Sequence, residues 1–171
     1  NIQVYILTDF WESIKDARLA DSYLNKIRKV TIGDVRRIAK KYLKEKGIEI
    51  VSFVEQVGTI KAKVNIDQVT EADVEKNIIR CPDDETAVSM IEAIEKVKAE
   101  GDSIGGIIRC VIRNLPPGLG EPVFDKLSAD LGKAMLSINA VKGFDIGDGF
   151  ASVNLKGSEH NDSFTGTDAE G

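Results

Sequence analysis

Two kinds of periodicity alternate along the chain and together predict an α+β protein, with helices packed on antiparallel sheets. Between Pro82 and Gly101 apolar residues recur at Val88, Ile91, Ile94 and Val97 among charges, the spacing of one helix face. From Gly47 to Val64, by contrast, Ile, Val and Phe crowd together and break at Gly58, which predicts two strands joined by a short turn. Between these regimes runs LPPGLGEP at 115–122, whose three prolines withhold backbone donors and whose two glycines permit unusual backbone angles. It predicts an ordered loop.

The remaining elements follow the same logic. Ile14, Ala17, Leu19, Ala20, Tyr23, Leu24 and Ile27 predict an amphipathic helix over 12–29. Thr31 as N-cap and Asp34 three positions on predict a second helix through Ile38 and Tyr42 to Lys46, ended by Gly47. Pro82, Asp83 and Asp84 open the helix that stops at Gly101. Ile107–Ile112 reads as a strand, and its alternation puts Arg109 and Arg113 on one face with Ile107 and Val111. Phe124, Leu127, Leu131, Ala134, Met135 and Ile138 predict a last long helix, and the glycine-punctuated Val141–Leu155 a further hairpin. The division expected is a helical N-terminal segment over 1–46, an α/β core over 47–164 and a flexible tail over 165–171.

Composition narrows the function classes. The 171 residues carry 23 Lys plus Arg against 28 Asp plus Glu, a net charge of -5, with 42% apolar residues. That describes an ordinary globular chain. Its basic residues are interspersed with acids, so no clustered cationic face for nucleic acid is expected. Cys81 and Cys110 lack CxxC spacing and His160 is the single histidine, which removes most metal-site and triad chemistries. With no apolar run near the ~20 residues of a membrane span and no signal pattern, a cytoplasmic protein is expected. The start at Asn1 carries the expectation of a processed or partial chain.

Three glycine-bearing strings are the candidate functional segments: GDSIGG at 101–106, NLPPGLGEPVFDKL at 114–127 and SINAVKGFDIGDGF at 137–150. GDSIGG could cradle a phosphate through exposed amides, but it lacks the Lys and Ser/Thr of a P-loop, and from the residues alone a helix C-cap followed by a tight entry into a strand is the favoured reading. Asp145 and Asp148 could form a carboxylate pair for acid/base work, or be turn residues. His160, beside Glu159 and Asp162, could form a dyad or be a solvated residue of a polar tail.

The order of these strings resembles the chorismate synthase family: GDSIGG, GLGEPVFDKL, AMLSINAVKGFDIGDGF and GSEHND follow one another as that family's landmarks do. KKYLKEKGIEIVSFVEQVGTIKA at 40–62 and IRCPDDETAVSMIEAIEKVKAEGDS at 79–103 extend the likeness, which covers about residues 40–164. The resemblance implies a part of a β-α-β sandwich and a homotetramer. It also implies a lyase that converts 5-enolpyruvylshikimate 3-phosphate to chorismate, with reduced FMN required. By the same resemblance Asn139 and Ala140, in the INA string, lie where the family touches FMN, and an Asn carboxamide with nearby amides suits a flavin's polar edge. Asn139 as a cap of the preceding helix is the alternative.

Several of the family's motifs are not found in these 171 residues. Its catalytic histidines lie in a GESHG-type motif and a Gly-His-Ala motif, and neither occurs. The Ser-Ala/Gly-Arg-Glu-Thr motif and the Asn-Asn-Ala-Gly-Gly region are missing too. Arg80, Arg109 and Arg113 match none of the family's phosphate-holding arginines, and His160 stands at a different landmark, so no catalytic residue is assigned. NKIRKVTIGDVRRIAKKYL at 25–43 resembles the helical end of insulinase-like zinc peptidase domains, without their HxxEH motif. The leading reading is a chorismate synthase-derived core with a flavin-facing loop and little or no activity alone; the alternatives are a non-catalytic scaffold built on that fold and, on the first 43 residues only, a peptidase-like non-catalytic domain.

Overall fold

A computed structural model describes residues 2–9, Gly33 and 47–161; within 2–9 Tyr5 alone has its side chain described. Five strands form one antiparallel sheet: β1 (Ile2–Asp9), β2 (Glu49–Val57), β3 (Ile60–Lys61), β4 (Gly105–Arg113) and β5 (Val141–Ile146). Their order is β3-β2-β4-β1-β5. Within 47–161 they are accompanied by the helices α1 (Glu71–Val74), α2 (Asp84–Ala99), α3 (Leu127–Leu136) and α4 (Gly157–His160), with a 3₁₀ turn over Gly149–Asn154. This is the α+β architecture the periodicities predict.

The sheet is covered on both faces, which explains why β2 is buried without a break from Ile50 to Glu55. On one face Ile50, Val54, Ile108 and Ile112 meet Ala87 and Met90 of α2 and Leu131 and Met135 of α3. On the other, Val51, Phe53 and Val111 pack against Val69 and Val74 from the segment around α1. A β-bulge at Glu55 connects the two patterns. Val54 pairs with Ile108 and Gln56 with Ile107, so Glu55 is the inserted residue. The insertion reverses the alternation beyond it and returns Val57 to the face of Val54, where it is fully buried.

Helix α2 begins and ends as its sequence dictates. The Asp83 carboxylate accepts from the Thr86 N–H and hydroxyl, and it also accepts from the Lys63 N–H, tying the helix start to the segment after β3. At the other end Gly101 takes φ +71, its N–H donates to the Lys98 carbonyl, and the Asp102 N–H donates to the Val97 carbonyl. These are the two bonds of a Schellman motif, which requires a left-handed residue at Gly101.

Several expectations change. Residues 2–9 are not helical: they form β1, hydrogen-bonded on both sides inside the sheet. The helices expected over 12–29 and 31–46 lie outside the described residues except for Gly33, which is helical, and so does the tail over 165–171. The buried stripe of α2 runs through Ala87 and Met90, and Val88 is exposed, because a 3.6-residue period drifts away from a strict three-residue recurrence. Phe124 precedes α3 and is 89% exposed. The hairpin expected over 141–155 is a single strand followed by the 3₁₀ turn. Its glycines serve a reversal at Gly147 and Gly149, both at positive φ, where no second strand follows.

Candidate functional site

Two of the three glycine-bearing strings reach the same end of the sheet. GDSIGG leads from α2 into β4, and Ser137–Ala140 leads from α3 into β5. Gly106 and Val141 are both aligned with Thr8 of β1, one on each side. With strands about 4.8 Å apart, the two strings are separated by roughly 10 Å across β1. The third string, 114–127, leaves β4 at the opposite sheet end and takes no part in this convergence.

Asn139 and Ala140 sit in a tight turn. Helix α3 closes on Ser137, whose N–H donates to Lys133 and Ala134 carbonyls and whose hydroxyl donates to the Ala134 carbonyl. The Ile138 N–H returns to Met135 and the Val141 N–H to Ile138. Asn139 therefore does not cap the helix, since the helix end is satisfied by other groups. Its side chain is exposed, and among the described residues neither its carboxamide nor the N–H of Asn139 or Ala140 takes a protein partner. Ala140 adopts φ +66, a left-handed conformation that costs a non-glycine residue about 1–2 kcal/mol. Turns of this kind turn successive N–H groups toward one side, where they accept an anionic or carbonyl-rich edge.

The other candidates resolve into structural roles. Asp145 accepts from the Ile146 and Phe150 N–H groups and so ties β5 to the 3₁₀ turn. Gly149 lies against that carboxylate so closely that a Cβ would come within 1.8 Å of its oxygen. Only glycine fits there. Asp148 is exposed, and His160 Nε2 stands 3.4 Å from its Oδ2 on a half-exposed surface. Cys81 and Cys110 are buried and form no disulfide, and burial pushes the Cys81 thiol up, away from reactivity. No metal-holding cluster occurs among the described residues.

The two strand arginines do share a face, as alternation predicts, but each is already engaged. Arg113 donates to the Ile66 and Val69 carbonyls and pairs with Glu49 at 2.9 Å, fastening the segment before α1 to the sheet. Arg109 makes a bidentate pair with Glu55, Nε to Oε2 at 3.0 Å and Nη2 to Oε1 at 2.6 Å, with Lys61 at 3.4 Å from the same carboxylate. Its guanidinium also lies 4.3 Å from the centre of the Tyr5 ring. Burial pushes the Tyr5 phenol above its ordinary value, Arg109 opposes this, and Glu55, Asp148 and Asp145 add to it. Phe53, Arg109, Tyr5 and Asp145 are cross-strand neighbours in one row. Sequence reasoning missed this row. The signal for half of it was a lone carboxylate, Glu55, inside the apolar run VSFVEQV.

The described residues thus define an α+β domain one of whose sheet ends carries a tight turn with exposed hydrogen-bond donors. The family model described as chorismate synthase matches residues 25–171. A chorismate synthase of Gloeothece citriformis is 54% identical over 137 residues, 78% of this chain and 38% of that protein. One of Synechocystis sp. is 55% identical over 137 residues, with the same coverage. One of Synechococcus elongatus is 51% identical over 144 residues, 82% of this chain and 40% of the relative. A crystal structure of chorismate synthase superposes with a TM-score of 0.61 at 26% identity, covering 91% of this chain and 54% of that one. The chain belongs to the chorismate synthase family, and it spans about two fifths of the length of these relatives. The match takes in residues 25–43, the string that resembles peptidase helices.

Proposed function

We propose that this chain is the part of a chorismate synthase that carries a portion of the flavin-facing surface, and that alone it binds FMN without turning over substrate. The observation that carries the reading is the turn at Asn139 and Ala140. Its carboxamide and two backbone N–H groups have no protein partner among the described residues, so they can donate to the polar edge of an isoalloxazine ring without breaking a bond. Ala140 in the left-handed region supports the same reading, since backbone strain is retained where it aims groups at a ligand.

In the whole enzyme the reaction would be the conversion of 5-enolpyruvylshikimate 3-phosphate to chorismate, with loss of phosphate and a ring proton. Reduced flavin would supply the electron-rich partner for that elimination, with no net redox change. The residues of this chain would bind and orient. Arg109 and Arg113 are engaged with Glu55 and Glu49, so neither is assigned to the substrate phosphate. Homotetramer formation and a cytoplasmic setting go with this reading. No helix among the described residues is long and apolar enough to cross a membrane.

A titration of the chain with reduced and oxidised FMN, followed by calorimetry and paired with an assay for chorismate, tests the proposal. Saturable binding weakened in Asn139→Ala, with no product formed, is the expected result. An absence of binding at high micromolar flavin would favour the scaffold reading. Chorismate production by this chain alone would contradict the claim of no turnover.

A further inference from the structure

We infer that the space between β4 and β5 is a peptide-binding slot, and that Ile2–Asp9 of this chain occupies it as an exchangeable ligand, held by strand pairing rather than by its covalent link. In the strand order β1 lies between β4 and β5 and pairs antiparallel with both. Ile2 stands opposite Ile112 and Asp9 opposite Gly105 on one side, with Val4 opposite Ile146 and Thr8 opposite Val141 on the other. Both walls of the slot belong to the stretch matched by the family, residues 25–171, and β1 precedes that stretch. The filling strand therefore comes from ahead of the sequence that builds its slot.

Each wall has packing of its own that does not pass through β1. Strand β4 is paired along its other edge with β2. Strand β5 rests on α3: Val141, Phe144 and Ile146 pack on the cluster that holds Leu131 and Met135, and the Phe144 ring lies beside Gly132. The register of β1, by contrast, is not set by a tight turn, because its partners stand about a hundred residues or more away in the chain. It is set along the strand, where Tyr5 is the described anchor. The Tyr5 ring receives the Arg109 guanidinium at 4.3 Å, and two bonds from Glu55 hold that guanidinium in place. An eight-residue segment with main-chain pairing on both sides and an aromatic anchor is how a sheet takes up an extended peptide. The sequence IQVYILTD has the β-branched and aromatic content that such a segment needs.

The test starts from the full chain carrying one protease site between residues 24 and 25, where the family match begins. After cleavage under native conditions, residues 1–24 should stay with the remainder on gel filtration. A fluorescent peptide of residues 1–9 in excess should then displace them and gain anisotropy, while the uncut chain, its slot filled by a tethered strand, should take up about tenfold less. A Tyr5→Ala peptide should compete about tenfold less well. An Ile6→Pro peptide, which loses a ladder donor, should not compete at all. In the uncut chain, native-state hydrogen exchange should show the β1 amides opening as a group before the β2–β4 ladder, a readout that needs no cleavage. The inference is overturned if residues 1–24 leave on cleavage and the peptide does not enter, or if cut and uncut chains take up peptide alike. It is equally overturned if β1 exchanges only with global unfolding, or if the strand in the slot comes from a second copy in a dimer. None of these readouts depends on flavin binding.

Discussion

At the scale of single residues, the strongest local commitment is the Glu55–Arg109 pair. Glu55 is buried and Arg109 largely so, with 5% and 13% of their side-chain surface exposed, and their two-bond geometry satisfies the charges that burial strips of water. Glu55→Ala would leave Arg109 buried without its partner, and chemical denaturation should register a loss of about 3–5 kcal/mol. Lys61, 60% exposed, adds little to the pair. Asp83 provides a separate prediction. The Thr86 hydroxyl, then the Lys63 N–H, hold its carboxyl below the ordinary value. A depressed folded value means that this stabilisation is complete above the unfolded value near 4 and is lost as pH falls through the folded one. Asp73 behaves likewise, lowered to about 2 by Lys76 and Thr70. Asp83→Ala should therefore cost about 1 kcal/mol at neutral pH. Asp83→Asn should keep most of the cap but flatten the acid limb of the stability curve, as thermal melts from neutral to acid pH would show.

At the scale of elements, the legible and illegible parts of the fold divide along physical lines. Helix α2 could be read to within a residue or two because its caps, Asp83 and Gly101, are local chemistry written in adjacent positions. The face of Arg109 and Arg113 was legible for the same reason, since strand alternation is local. What those arginines touch was not, because Glu55 is 54 positions away and reaches Arg109 only through a bulge. Strand β1 was hidden more completely: Ile2–Asp9 finds its partners about a hundred residues or more later, at β4 and β5. The 3₁₀ turn replaced a predicted hairpin because Gly147 and Gly149 reverse the chain without a second strand to pair. The turn at Ala140 is the element on which the functional reading depends, and its backbone can be tested by itself. Ala140→Gly removes a Cβ from a left-handed position and should raise stability by up to about 1 kcal/mol, while Ala140→Val should lower it, as melting temperatures would register.

At the scale of the whole molecule, the two ends of the sheet differ in what they gather. One gathers GDSIGG and the Asn139–Ala140 turn, and from the other the chain leaves β5 toward the exposed Phe150 and Val153. The candidate site was legible from the INA string only through its place among the family's landmarks. Composition and periodicity alone left Asn139 as a helix cap, a role the bonds of Ser137 already fill. Heteronuclear NMR of the chain titrated with FMN tests the central claim most directly, because it locates contact without requiring activity. The account predicts amide shifts at Asn139 and Ala140, spreading to Val141 and across β1 to Gly105 and Gly106, with the segment 149–155 unmoved. Shifts confined to other regions, or none at high micromolar FMN, would contradict it.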